Sequence, residues 1–286
     1  MKITLLGGNG FIGDYLAAKL KKQNGCELRV VGLASQASND YIQMDLSRPN
    51  ERLRPLIDWS DTVVILTRDD IKIIDNLLAT LTAREHPIKI VYLSTLLVYP
   101  DSDLPQDENS PLEPRTDYEE LKCVEERKLL WLMAENSFCK LCIVRMANVY
   151  GDIKNRGVIN SLFQAILTSA LFEINSPGDS TRDYIFIEDA AELLAFLVLW
   201  PQNLSHEIVN ICNGRAYSVQ EIKQIAEMIT GVKINTVSGP SVLEKKKIIG
   251  DNKKILSLSG YRMKHDLRQG LKKTLHSYKK YFNLEV

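Results

Sequence analysis

Lys2-Ile3-Thr4-Leu5-Leu6-Gly7-Gly8-Asn9-Gly10-Phe11-Ile12-Gly13 is the stretch that decides how this chain folds. A short apolar run meets glycines at positions 7, 10 and 13. A helical pattern follows, with Phe11, Ile12, Tyr15, Leu16 and Leu20 at helical spacing. Gly7 suits a tight turn out of a strand. Gly10 lets the backbone approach a pyrophosphate, and Gly13 lets helix and strand pack closely. The N–H groups that open the helix, those of Phe11, Ile12 and Gly13, lack intrahelical acceptors and carry partial positive charge, which favours an anion.

Outward from that turn, strands and helices alternate. Lys19, Lys21, Lys22 and then Asn24-Gly25 close the first helix, and Glu27–Leu33 reads as a second strand. A site for NAD places an acid at the end of such a strand, to accept from the adenine ribose. Here Leu33-Ala34-Ser35-Gln36 offers no acid, and no Arg or Lys follows closely to hold a 2′-phosphate. Ser35 can serve either dinucleotide, and the reading leans to NADP over NAD. Tyr41–Leu46 is a short third strand, and its Asp45 either meets the adenine amino group or caps the next segment. Thr62–Leu66 is a fourth strand, apolar enough to be buried on both faces. It leads into Thr67-Arg68-Asp69-Asp70, at the end where open sheets bind ligands. Ile71–Leu81 reads as a helix and Ile88–Leu93 as a fifth strand. This alternation predicts an α/β fold with a doubly wound parallel sheet.

The 286 residues suffice for one large domain, or for a large domain with a small one. Lys+Arg and Asp+Glu both number 36, so no basic excess points to nucleic acid. The longest apolar run, near Leu193–Trp200, is far short of the ~20 residues a membrane span needs. No nucleic-acid or membrane partner is expected. The chain enters a strand at once, without a leader pattern, and its five cysteines are odd in number; a reducing cytoplasm is the expected location.

Chemistry enters after the fifth strand, at Ser94-Thr95-Leu96-Leu97-Val98-Tyr99-Pro100. A loop rich in Pro, Asp and Ser follows, and Tyr118-Glu119-Glu120-Leu121-Lys122 then opens a helical segment running through Met133. Residues four apart share a helix face, so the Tyr118 hydroxyl and the Lys122 ammonium can point into one site. A phenol has a pKa of about 10, and a nearby ammonium stabilises the phenolate and lowers that value.

Taken in order, the glycine turn, the Ser-Thr pair and Tyr-x-x-x-Lys resemble the extended short-chain dehydrogenase/reductases, the NAD-dependent epimerase/dehydratase family acting on nucleotide sugars. The resemblance continues through Arg145-Met146-Ala147-Asn148-Val149-Tyr150-Gly151 and Thr181-Arg182-Asp183-Tyr184-Ile185-Phe186-Ile187-Glu188-Asp189-Ala190. Val209-Asn210-Ile211-Cys212-Asn213-Gly214 and Ser218-Val219-Gln220-Glu221-Ile222 extend it, to span about residues 1–260. It implies a Rossmann-type cofactor domain of residues 1–150 plus about 181–205, and a smaller substrate-binding lobe of about 151–180 plus 206–286.

Carried onto this sequence, the resemblance makes Tyr118 the proton-transferring phenol. Lys122 binds the nicotinamide ribose and tunes Tyr118, and Thr95 hydrogen-bonds the reacting sugar oxygen. Asn148 and Arg182 hold the pyrophosphate of a nucleotide-activated sugar. Cofactor contacts are expected from Gly7, Gly10, Phe11, Ile12, Gly13, Ser35, Asp45, Leu46 and Thr67, with Tyr118 and Lys122. Departures narrow the chemistry. Sugar 4,6-dehydratases of the family carry an acidic pair where Leu96-Leu97 stands, and reductases that also epimerise at C3 and C5 carry a cysteine in place of Leu97. What remains is hydride transfer at one ring carbon, C4. The first expectation is a ketoreductase of a nucleotide-activated 4-keto-6-deoxyhexose. A nucleotide-sugar 4-epimerase is the alternative. A non-catalytic NAD(P)-sensing protein is the alternative of another class, against which intact Thr95, Tyr118 and Lys122 argue.

Cys139-x-x-Cys142 has metal-ligand spacing but no second pair, and buried free thiols are the reading; no metal site is expected. The four histidines are scattered, and Lys245-Lys246-Lys247 and the basic stretch Lys264–Lys280 read as solvated faces. A homodimer is left open.

Overall fold

Apolar runs become buried strands, and the polar-apolar patterns between them become helices. The computed structural model describes residues 1–34, 38–67, 70–82, 84–175, 180–201, 206–240 and 245–282. In chain order the first elements are β1 (Lys2–Leu6), α1 (Phe11–Leu20), β2 (Glu27–Gly32), β3 (Tyr41–Gln43), α2 (Leu53–Trp59) and β4 (Thr62–Ile65). Then come α3 (Ile71–Leu81), β5 (Ile88–Thr95), a 3-10 turn (Leu96–Val98), α4 (Asp117–Glu135) and β6 (Cys139–Met146). The remainder is β7 (Asn148–Tyr150), α5 (Val158–Thr168), β8 (Phe172–Ile174), β9 (Thr181–Phe186), α6 (Ile187–Leu199) and β10 (His206–Ile211). It closes with β11 (Ala216–Ser218), α7 (Val219–Thr230), β12 (Thr236–Ser238), β13 (Lys247–Ile248), α8 (Lys253–Ser259) and α9 (Leu267–Tyr281).

Two compact units form. Met1–Val98, Leu112–Met146 and Ala191–Val209 make the first; Tyr99–Pro111, Ala147–Ala190 and Asn210–Val286 make the second. The first is built on a seven-stranded sheet in the order β10-β6-β5-β4-β1-β2-β3. The pairs from β6 to β3 are all parallel. Helices on the sheet explain why β4 is buried at every position and why β5 is buried along most of its length. Leu6, Val63, Ile65, Ile74, Leu77, Ile90 and Ile143 belong to one buried cluster. β1 pairs with β2 on one side and with β4 on the other, so the strand order reverses between β1 and β4. Doubly wound sheets bind ligands outside the strand ends at such a switch point. The Rossmann-type sheet expected from the sequence is present.

Strand ends differ from the sequence reading for local reasons. β3 stops at Gln43 because Asp45 turns the chain, accepting the Ser47 N–H at 3.0 Å and the Ser47 hydroxyl at 2.6 Å. β5 runs two residues beyond Leu93 because β6 pairs with it to the end, Ser94 opposite Arg145 and Thr95 opposite Met146. Arg84 ties this unit together: its buried guanidinium donates to the carbonyls of Ile57 (2.7 Å), Ser60 (3.1 Å) and His86 (2.9 Å). Arg84→Met keeps the aliphatic stem and strands those carbonyls. A loss of about 1.5–3 kcal/mol, the worth of one charge-assisted hydrogen bond, is the least expected, read as a lower urea midpoint at unchanged slope.

The second unit has β9 as its central strand. β11 pairs with it antiparallel, and β13 and β7 parallel, while β12 pairs with β8. Ser218 and Glu221 form the capping box that starts α7. α9 turns the basic stretch into an amphipathic helix that buries Leu267, Leu271, Thr274 and Tyr278, while Lys272, Lys273 and Lys280 stay exposed. Lys245 corrects the solvated-face reading of the triple lysine. It is buried and donates to the Tyr99 carbonyl at 2.8 Å, a fixed acceptor that offsets its desolvation.

Candidate active site

The glycine turn lies at the switch point. Gly7 has φ +76°, in the left-handed region, and donates to the Val31 carbonyl at 2.9 Å, so the turn out of β1 is pinned to β2. A Cβ on Gly7 would meet Thr67 Cγ2 at 3.0 Å, which places Thr67, at the end of β4, directly against the turn. A Cβ on Gly13 would lie 2.4 Å from the Gly8 carbonyl oxygen, so α1 packs this closely only with glycine there. Gly10 is different. A Cβ there would meet only the Gly7 oxygen, at 3.6 Å, so the protein itself leaves the space beside Gly10 free. Gly10 is also the N-cap of α1 and supplies no side-chain cap, which leaves the first-turn N–H groups of Phe11, Ile12 and Gly13 available. Open space, unspent donors and the positive helix end fit a dinucleotide's phosphates.

The adenine side is less complete. Leu33, after β2, is 68% exposed, and with Ala34 it places neither an acid nor a cation there. Ser35 lies outside the described residues. Asp45 is spent locally on Ser47, whose hydrogen bonds hold its carboxyl below the usual carboxylate range, and Leu46 is buried.

The Tyr-x-x-x-Lys pair forms because Thr116 caps α4, accepting the Glu119 N–H at 3.3 Å and starting the helix one residue before Tyr118. Tyr118 is half-buried, and Lys122, one turn on, is 2% exposed. The Lys122 ammonium stands 6.0 Å from the Tyr118 ring centroid and 5.0 Å from that of Tyr92 on β5. It donates to Tyr92 Oη at 3.1 Å and to Glu125 Oε2 at 3.0 Å. Tyr92 donates in turn to Glu125, and burial together with the Glu125 carboxylate holds the Tyr92 phenol far above its ordinary pKa. One turn further, Glu126 pairs with Arg145 of β6 at 2.8 Å and accepts the Ser94 hydroxyl. These bonds clamp α4 onto the ends of β5 and β6. Thr95 follows Ser94 there, buried, its oxygen accepting the Leu97 N–H at 3.2 Å. Leu96 and Leu97 form the 3-10 turn, so no acid follows Thr95.

In the second unit, Asn148 on β7 lies opposite Tyr184 on β9, and Arg182 is two residues before Tyr184. Residues two apart share a strand face, so Asn148 and Arg182 stand on one face of that sheet. Asp183 points to the other face, where it is buried and accepts the N–H groups of Asn213 and Gly214, each at 2.9 Å. An ion pair between Asp183 and Arg182 is therefore not how Arg182 is used.

Sequence reasoning named Thr95, Tyr118 and Lys122 but gave no role to Tyr92, Glu125, Glu126 or Arg145. The available signal was spacing: positions three and four after Lys122 fall on its own helix face, so two acids there had to be buried or unusually paired. Cys139 and Cys142 are buried and free on β6. Three residues apart on a strand, they point to opposite faces and cannot share an ion. Among the described residues no group of His, Cys, Asp and Glu is arranged to hold a metal, and no helix is long and apolar enough to cross a membrane.

Residues 3–212 match the family described as the NAD dependent epimerase/dehydratase family. UDP-glucuronic acid decarboxylase 6 of Arabidopsis thaliana is 27% identical, covering 95% of this chain and 87% of that protein. UDP-glucose 4-epimerase of Lactobacillus helveticus is 24% identical, covering 93% of each. Among solved structures, the UDP-glucuronic acid 4-epimerase of Bacillus cereus, in complex with UDP-glucuronic acid and NAD, superposes with a TM-score of 0.90 at 21% identity. It covers 98% of this chain and 100% of that one.

Proposed function

The chain belongs to the NAD dependent epimerase/dehydratase family, and we propose that it is a nucleotide-sugar 4-epimerase, oxidising and re-reducing C4 of an activated hexose with NAD. One observation carries the reading: the Lys122 ammonium lies 6.0 Å from the Tyr118 ring centroid on one face of α4, which is bonded to the strand end bearing Thr95. The relatives support it. A named 4-epimerase aligns over nearly its whole length. The named decarboxylase fits the same first step, since loss of CO2 from a C6 carboxylate is eased by a ketone at C4. The named 4-epimerase supports putting the epimerase ahead of the net ketoreductase, first in the sequence reading, and the NAD bound by the Bacillus cereus epimerase supports NAD ahead of NADP.

When bound, the dinucleotide supplies the acceptor and donor of the hydride. Gly7, Gly10, Phe11, Ile12, Gly13 and Thr67 would hold its phosphates and Lys122 its ribose, while Asp45, spent on Ser47, and buried Leu46 serve the local turn. Tyr118 takes the proton of the C4 hydroxyl as that carbon is oxidised, and returns it when the carbon is reduced on its other face. Thr95, whose oxygen accepts from Leu97, keeps its hydroxyl hydrogen to donate to the same sugar oxygen. Asn148 and Arg182 would bind the sugar's diphosphate, a task that suits a fixed amide and a guanidinium fork. Proton and hydride are both restored, so no dinucleotide is consumed.

The test is incubation with UDP-glucose or UDP-galactose and NAD, followed by NMR. Interconversion without net change in nicotinamide absorbance is expected. Stoichiometric use of NAD(P)H on a 4-keto sugar would instead make it a reductase, and CO2 release from UDP-glucuronic acid a decarboxylase. NAD binding without turnover of any nucleotide sugar would favour a sensor. Gly10→Val tests the cofactor site separately. The protein leaves room for the added side chain, so the melting temperature should hold while NAD binding by calorimetry is lost. Unchanged affinity in the folded variant would rule out the glycine turn as the phosphate site.

A further inference from the structure

Beneath Lys122 lies a closed ring of three hydrogen bonds. Lys122 donates to Tyr92 Oη (3.1 Å) and to Glu125 Oε2 (3.0 Å), and Tyr92 donates to that same carboxylate oxygen. The Lys122 and Glu125 side chains are each 3% exposed. An ammonium has three donors. Two are spent in fixed directions, which leaves one for a ribose hydroxyl or the Tyr118 phenol. We propose that Glu125 is a positioning residue for proton transfer: with Tyr92 it fixes the Lys122 ammonium and offsets part of that ammonium's field at Tyr118. The proposal rests on the reading that Tyr118 moves the proton.

The charges around this ring support one sign of effect. Tyr92 and Ser94 face it from β5; Tyr118, Glu125 and Glu126 come from α4; Arg145 comes from β6. Arg145 holds Glu126 at 2.8 Å, so Lys122 is the cation that balances Glu125. Burial keeps Tyr92 protonated, hence a donor to Glu125 rather than a competing anion. An opposite charge within about 4–6 Å moves a pKa by roughly 1–3 units. Seen from Tyr118, however, a lysine paired with a carboxylate acts more as a dipole than as a full charge. Glu125 therefore holds the Tyr118 phenol at a higher pKa than Lys122 alone would.

Glu125→Gln removes the charge and retains an acceptor for both Lys122 and Tyr92. Phenolate absorbance, with the Tyr118→Phe variant of each protein subtracted, isolates the titration of Tyr118. Its midpoint is expected to fall by about one unit in Glu125→Gln, a tenfold change in ionisation constant. Glu125→Met, of similar volume and also neutral, should show the same fall. Tyr92→Phe keeps the carboxylate–ammonium pair and should leave the midpoint nearly in place. Coincident midpoints in the wild type and either folded neutral variant would overturn the proposal. Failure of both neutral variants to fold would also overturn it, by making Glu125 a folding requirement. The acid limb of the turnover profile should move with the titration. If the wild type turns over no nucleotide sugar, the epimerase reading falls, while the absorbance titration still decides the role of Glu125.

Discussion

Tyr118→Phe should lower epimerisation by about 10²–10⁴-fold, the span associated with a positioned general acid–base group, while NAD affinity and melting temperature stay close to wild type. The expectation follows from what the substitution removes. Only the hydroxyl is lost; the ring remains half-buried on α4, and the Lys122 ammonium keeps its bonds to Tyr92 and Glu125. On the proposed mechanism Thr95 would still donate one hydrogen bond to the sugar oxygen, so a residual rate is expected rather than none. Lys122→Ala should act more broadly. It would remove the proposed ribose ligand and leave the Glu125 carboxylate buried without its cation, so NAD affinity and stability should both fall. A Tyr118→Phe enzyme with wild-type turnover would remove the phenol from the mechanism.

Arg145→Met should cost about 3–5 kcal/mol of stability, because it strands the Glu126 carboxylate in the interior. The two side chains are 4% and 3% exposed, and the Ser94 hydroxyl is a much weaker partner for the charge left behind. Burying an ion pair is expensive in itself, so replacing both partners should cost far less than replacing one. The double variant Arg145→Met with Glu126→Leu is therefore expected to recover most of the loss, in urea unfolding at constant slope. Additive losses in the double variant would show that the pair does not act as a unit. Because this pair clamps α4 to β5 and β6, the single variant should also lose turnover.

Much of this protein is legible without coordinates. The glycine turn, the strands on either side of the switch point and the Tyr118–Lys122 face are written in local periods of two, three and four residues, set by backbone geometry alone. The capping box at Ser218 and Glu221 is legible for the same reason. What lies around Lys122 is not. Tyr92 is 30 residues from Lys122, and Arg145 is 19 from Glu126. They meet only because β5 and β6 pair in parallel with Ser94 opposite Arg145, and because α4 crosses that edge. Lys245 belongs with them: in sequence it is one of three lysines, and in the fold it is buried on a carbonyl 146 residues away. Local spacing thus determined the sheet, the turn and the shared face of Tyr118 and Lys122. The partners of each buried charge were decided by tertiary structure, since a charge can leave water only where distant strands bring it a counter-charge or a fixed dipole.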